Sequence, residues 1–309
     1  MPELINVSDL NLAATLECGQ AFRWSLQSGN GWHVGVVGRE VWHLRQDGGK
    51  IEWNCSRGVS RGRPEAHASA TDREPDSRLQ HYLALDVSLP KIVATFPADD
   101  EMLHAAVKKH QGLRVLRQEP WECLASFMAS STKQIVQIRQ IVESLSRCFG
   151  EPIDEKHHAF PSVAAVARAS HQQLWDCKLG FRAKNLLAAA RMIDSGQLEL
   201  DALPSMEYGR ALEELVKLPG VGEKIANCTL LFACGFNEAF PIDVWIERAL
   251  KRIYFAGKRN VTARQLREFA HSHFGPYAGW AQQYLFFSER LLGKHRAGRR
   301  QPLLDIGTK

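Results

Sequence analysis

Two runs of helical periodicity flank the tetrapeptide Pro219-Gly220-Val221-Gly222, and no other feature limits the fold of this chain as tightly. An apolar helix closes at Leu215, Val216 and Leu218. The turn then bends sharply, because glycine takes positive φ without a Cβ penalty. A second helix is predicted from about Glu223, carrying Ile225, Leu231 and Phe232 inward. The segment at about 211–235 therefore reads as a helix-hairpin-helix. Its turn exposes backbone N–H groups and a helix N-terminus, a combination that suits a nucleic-acid phosphate. An ordinary glycine corner between helices is the competing account. Gly220, Val221 and Gly222 are the candidate DNA contacts.

The hydrophobic period changes once along the chain. Residues 1 to about 56 alternate aromatic and β-branched residues with Gly or Asn between them, at 21–24, 32–37 and 41–44. That predicts an antiparallel sheet with one buried face. From Arg57 to about Arg78 almost no large apolar residue occurs, which predicts a mobile loop. Beyond Leu79 the pattern is helical: Leu124, Phe127 and Met128 share one face, and Ile135, Ile138, Val142 and Leu145 another. After Leu292 the basic tail with Lys294, Arg296, Arg299 and Arg300 is expected to fray. The domains expected are an N-terminal β domain over 1–88 and a helical domain over 89–309.

Composition narrows the class. A hydrophobic content of 45% with 24% charged residues excludes a wholly disordered or fibrous chain. No apolar run approaches the ~20 residues of a membrane-spanning helix, and the start lacks the features of a secretion signal. The seven cysteines include no CxxC pair, which suggests reduced thiols. A soluble intracellular protein with no membrane partner is expected. Its 39 basic and 34 acidic residues give a charge of +5, which permits a polyanionic partner without requiring one.

Lys224 falls in the first turn of the second hairpin helix, where the positive end of the helix dipole disfavours the ammonium form. An unprotonated amine is what a nucleophile requires; a solvated lysine or a simple phosphate contact is the bland alternative. Nineteen residues on stands Asp243, before another helical run, so it reads as an N-cap. A carboxylate near such an amine could also assist deprotonation or stabilise charge developing at a sugar C1′. The two roles are compatible.

Together with Pro241-Ile242-Asp243, the hairpin resembles the helix-hairpin-helix base-excision DNA glycosylases, and within them the eukaryotic-type 8-oxoguanine DNA glycosylases. Further motifs carry the resemblance in family order: Gly19-Gln20-Ala21-Phe22-Arg23-Trp24, Leu116-Arg117-Gln118-Glu119-Pro120-Trp121-Glu122-Cys123, Ser126-Phe127-Met128-Ala129-Ser130-Ser131, Leu179-Gly180-Phe181-Arg182-Ala183-Lys184 and Phe274-Gly275-Pro276-Tyr277-Ala278-Gly279-Trp280-Ala281-Gln282. The resemblance implies an α+β fold, with an N-terminal antiparallel β-sheet domain before an all-helical region of two subdomains. It implies a bifunctional glycosylase/AP lyase that flips 8-oxoguanine from duplex DNA, since a stacked base is out of reach. Lys224 would be the nucleophile and Asp243 the assisting carboxylate. Cys228 and Phe286 would sandwich the base, Gln282 would bond its Watson–Crick edge, and the carbonyl of Gly19 would accept from its N7–H. Thr132, Phe181, Arg182 and Trp245 would meet the DNA around the vacated space.

This chain departs from the family pattern at Thr132 (asparagine expected), Gln137 (arginine), Phe181 (tyrosine) and Trp245 (histidine). Glutamine lacks the guanidinium fork, so a weaker preference for cytosine opposite the lesion is expected. The partner is double-stranded DNA containing oxidised guanine, met by a monomer in the nucleus or the nucleoid. No cofactor and no catalytic metal are expected. Only Cys228 and Cys234 lie near the hairpin, too few for an iron–sulfur cluster. The family adds the possibility of a structural monovalent or calcium ion at the hairpin carbonyls. A related glycosylase for another damaged purine and a non-catalytic DNA-binding module remain the alternatives.

Overall fold

The computed structural model describes residues 3–57 and 75–298. Strands β1 (Glu3–Asn6), β2 (Trp24–Leu26), β3 (His33–Val37), β4 (Glu40–Asp47) and β5 (Lys50–Arg57) form one antiparallel sheet in the order β1-β5-β4-β3-β2. Alternation sends Trp24, Trp42, Leu44, Ile51 and Trp53 to one face, where they pack with Leu12, Leu16, Leu79, Leu83 and Leu116. Trp24 crosses β3 where Gly35 is its partner, leaving room for the indole, whose Nε1 donates to the Tyr82 hydroxyl at 2.8 Å. The sheet buries more than the one face expected. Val34, Val36 and Val41 on the other side are covered by Ile153 and Ala159 from the helical region.

Three local expectations are corrected. The strand-like first stretch contains a helix, Leu12–Glu17, capped by Asn11, whose Oδ1 accepts from Ala14 N at 2.9 Å. The predicted mobile loop lies outside the described residues over 58–74, but its edges are ordered. Strand β5 reaches Arg57, and a helix runs over Pro75–Tyr82. Within that helix Arg78 pairs with Glu40, and its guanidinium meets Cys55, partners that composition alone does not reveal. The last helix, Ala278–Gly298, continues past Leu292, where fraying was expected.

The remaining helices gather in two groups. One spans the helices between Pro120 and Asp194; the other packs Glu101–Lys109, Val244–Ile253 and Ala263–Phe274 around Ala278–Gly298. The second hairpin helix, Glu223–Phe232, packs on Pro120–Ala129 of the first group as well as on its own partner Tyr208–Val216, and its Leu231 lies against Gly279 of the last helix. Sheet and helices are clipped together by Arg114, which is 1% exposed and donates to the carbonyl of Val87 and the carboxylate of Asp9. Gln20 adds a second clip, bonding Thr15 O, Arg114 O and Leu116 N. Both sides of the loop carrying Gly19 are thereby held to the helical region.

Candidate active site

The first hairpin helix stops at Val216, two residues earlier than predicted, and Val221 N donates to Leu218 O across the turn. Gly220 has φ +79°, and a Cβ there would lie 2.5 Å from Asn185 Nδ2, so the turn admits only glycine. Val221 puts its side chain in the core, which leaves the exposed Gly222 at the N-terminus of Glu223–Phe232. Lys224 follows in the first turn. Its amine lies 4.8 Å above the Phe127 ring and 3.2 Å from Ser130 Oγ. The Ser130 hydroxyl donates to Phe127 O at 2.6 Å, so its lone pairs face the amine.

Asp243 caps Val244–Ile253 as expected. Its Oδ1 accepts from Trp245 N at 3.0 Å and Ile246 N at 2.9 Å. Burial raises its carboxyl above the ordinary range, an effect opposed by those two N–H groups and by the charge of Lys224. The lysine and the aspartate are thus electrostatic neighbours without being ion-paired. Cys228 lies within the field of both, and burial pushes its thiol up to about 11, so it is neutral at pH 7.

The other expected pocket residues converge from the last helix and the Gly19 loop. Gln282 is 4% exposed; its Nε2 donates to Pro241 O at 3.1 Å, while Oε1 is buried with no partner among the described residues. One turn later Phe286 approaches Gly19, where an added Cβ would stand 3.5 Å from the ring. Gly19 itself has φ +98°. The structure therefore brings Gly19 beside Phe286, and Lys224 beside Cys228 and Asp243. Gln282 bridges the two sets through the strand of chain leading to Asp243. A cleft of ≈ 150 Å³ also borders Lys224, but it is lined by Asn227, Phe240, Ile242 and Leu266 rather than by the expected base-pocket residues.

Residues 4–124 match the N-terminal domain of 8-oxoguanine DNA glycosylases, and residues 125–273 match the helix-hairpin-helix superfamily of base excision DNA repair proteins. An N-glycosylase/DNA lyase of Arabidopsis thaliana is 30% identical over 300 residues, spanning 93% of this chain and 80% of its own. The chain belongs to the 8-oxoguanine DNA glycosylase family. The N-glycosylase/DNA lyase of Saccharomyces cerevisiae is 29% identical, over 92% of this chain and 85% of its own. Among solved structures, the Clostridium acetobutylicum 8-oxoguanine glycosylase/lyase, in complex with dsDNA containing cytosine opposite to 8-oxoG, superimposes with a TM-score of 0.84. It is 29% identical and covers 95% of this chain and 98% of its own.

The positions where this family member departs from the pattern sit around the hairpin's neighbour. Phe181 is 65% exposed. Arg182 is 5% exposed, and its guanidinium turns back onto the chain, donating to Leu179 O, Ser131 O and Thr132 Oγ1. Thr132 holds φ +57°, a left-handed conformation that β-branched residues avoid and asparagine tolerates. Trp245 is half-buried, with its ring against Gly293. Among the described residues no group of three or more His, Cys, Asp or Glu could hold a metal ion. His271 and His273 have ligand-like spacing, yet His273 is engaged by Asp100 at 2.9 Å.

Two contributors escaped the sequence. Ser130 lay inside a quoted motif, but its contact with Lys224 spans 94 positions. Arg290 stands a further turn beyond Gln282 and Phe286, a four-residue spacing that was readable.

Proposed function

We infer that this protein is a bifunctional DNA glycosylase and AP lyase that excises 8-oxoguanine from duplex DNA in base excision repair. The observation that carries the reading is the surroundings of Lys224: an amine at the N-terminus of the hairpin's second helix, with a half-buried capping carboxylate and a neutral thiol beside it. The hairpin turn grips backbone phosphate, and the lesion leaves the stack because no side chain reaches C1′ otherwise. The Lys224 amine gives up a proton and attacks C1′ as the glycosidic bond breaks, and the electron pair leaves with the base. Asp243 stabilises the positive charge that develops at the sugar. Opening of the sugar ring at C1′–O4′, with O4′ taking up the proton released from the amine, gives an iminium, and removal of a C2′ proton expels the 3′ phosphate by β-elimination.

In this reading Cys228 and Phe286 stack on the flipped base, while the unpartnered Gln282 Oε1 accepts from its Watson–Crick edge. The Gly19 carbonyl accepts N7–H of the lesion and opposes the N7 lone pair of guanine. Gly220 and Gly222 meet phosphate, Thr132, Phe181 and Arg182 face the vacated space and the opposite strand, and Trp245 meets the DNA beside Asp243. In the same reading the protein acts as a monomer, inside the cell with the DNA. A monovalent or calcium ion at the hairpin carbonyls, the possibility the family adds, belongs to the same reading. Such an ion would be structural, and no step runs through it.

Borohydride trapping tests the reading. Incubation with a lesion-bearing duplex is expected to give a covalent complex, and Lys224→Gln to abolish it while leaving duplex affinity within about threefold, since one charge of many is lost. Absence of a trapped complex with the unaltered protein would exclude the Schiff-base route and favour a binding module.

A further inference from the structure

Arg290 lies on the same face of Ala278–Gly298 as Gln282 and Phe286, at positions i+8, i and i+4. Its fork spans two successive carbonyls: Nη1 donates to Cys18 O at 2.7 Å, and Nη2 to Glu17 O at 2.9 Å. On the far side of Gly19, the Gln20 carbonyl accepts from Gln118 Nε2 at 2.8 Å. The Gly19 carbonyl, between these clamped neighbours, accepts no hydrogen bond from any described residue. The Gln20 N–H faces the buried Cys18 thiol. Because N–H and C=O of one trans peptide point opposite ways, the Gly19 carbonyl faces away from that thiol. The fit is close, since a Cβ on Gly19 would lie 2.8 Å from Arg290 Nη1 and 2.8 Å from Ile135 Cδ1.

We propose that Arg290 is a positioning residue for lesion specificity: its grip on the Glu17 and Cys18 carbonyls fixes the Gly19 peptide with its free acceptor toward the base. The proposal rests on the reading of Gly19 given above. A glycine peptide held on one side only can turn over and offer an N–H, which would accept guanine N7 as readily as the free carbonyl accepts the lesion. Two carbonyls one residue apart need a planar fork with parallel donors. Lysine, a single point of charge, bonds one and leaves the other.

The test uses the full chain in the Lys224→Gln background, where binding is measured without turnover. The probes are duplexes carrying 8-oxoguanine or 8-bromoguanine; the second fills the C8 side but keeps N7 as an acceptor. The parent is expected to bind 8-oxoguanine at least about tenfold more tightly than 8-bromoguanine, Arg290→Leu less than about threefold, and Arg290→Lys in between. With Lys224 restored, Arg290→Leu is expected to cleave a preformed abasic site within about twofold of the parent, because no base then occupies the pocket. Full retention of the ratio in Arg290→Leu overturns the proposal. So does parallel loss of abasic cleavage and of melting temperature, which would make Arg290 a cap for the helix Leu12–Glu17 and nothing more. A parent that binds both bases equally overturns the Gly19 reading itself, and is told apart because the variants then play no part in the result.

Discussion

Asp243 caps a helix, and in the proposed mechanism it also stabilises charge at the sugar; one substitution can separate the two roles. Asparagine is as good an N-cap as aspartate, so Asp243→Asn keeps the bonds to Trp245 N and Ile246 N while removing the charge. Stability is expected to change by less than about 1 kcal/mol, whereas excision falls by about a hundredfold or more, with affinity nearly unchanged. Burial raises the Asp243 carboxyl. In the proposed mechanism the ionised form is the working one, so excision is expected to fall as pH drops, through a value above the usual ~4 of an aspartate. Asp243→Asn should flatten that acid limb, and rates measured from pH 4.5 to 8 would show it; an unchanged limb would assign the ionisation to another group. These two residues were legible because each sits in a local pattern whose chemistry is explicit: a lysine where a helix dipole opposes it, and an aspartate before a helix. Ser130 and Arg290 were not, since their roles exist only through partners 94 and more than 270 positions away.

At the level of elements, the hairpin turn is held open by the absence of one Cβ. Gly220→Ala must accept φ +79° and a contact 2.5 Å from Asn185 Nδ2. The left-handed conformation alone costs about 1–2 kcal/mol, and relief of the contact displaces the turn whose N–H groups are proposed to meet phosphate. A lower melting temperature and weaker binding to any duplex, lesion or not, are expected together. Selective loss for lesion DNA would place the turn in the pocket instead. Long elements were readable: the face of Ile138, Val142 and Leu145 is buried as its period requires, with Ile135 half-buried at the edge. The helix Leu12–Glu17 was not, because six residues fall short of two turns and show no period. Only Asn11, a good cap, marks it. The second buried face of the sheet was hidden for a different reason. Ile153 and Ala159, which cover it, follow it by more than a hundred positions.

Across the whole molecule the sheet meets the helices at a small, mainly apolar crevice into which Arg23, Glu119 and Glu122 also reach. Burial pushes Glu122 up to about 7; the Arg23 charge opposes this and that of Glu119 adds to it. A carboxyl raised in the folded state supports the fold while protonated and loses that support as pH rises from about 4.5 to about 7. The unaltered protein should therefore lose about 1–2 kcal/mol over that range, the figure being reduced for the water the half-buried group still meets, and Glu122→Gln should not. Melting curves at pH 5 and pH 8 measure the difference; equal losses in both proteins would reject it. The same long-range view decides how the opposite strand is read. Arg182 bonds Leu179, Ser131 and Thr132 of its own chain, so its guanidinium must break those contacts before it can bond a base. Gln137, where the family pattern has a second arginine, accepts from Gln134 N at 3.0 Å as part of a helix cap. Neither side chain is free to offer cytosine the paired donors that reward it over adenine. Excision from lesion·C duplexes is expected to exceed that from lesion·A by less than about a hundredfold, the equivalent of ~2.7 kcal/mol. A larger ratio would mean that Arg182 is released on binding and reads the estranged base after all, and Arg182→Ala would then collapse the preference while leaving abasic-site cleavage in place.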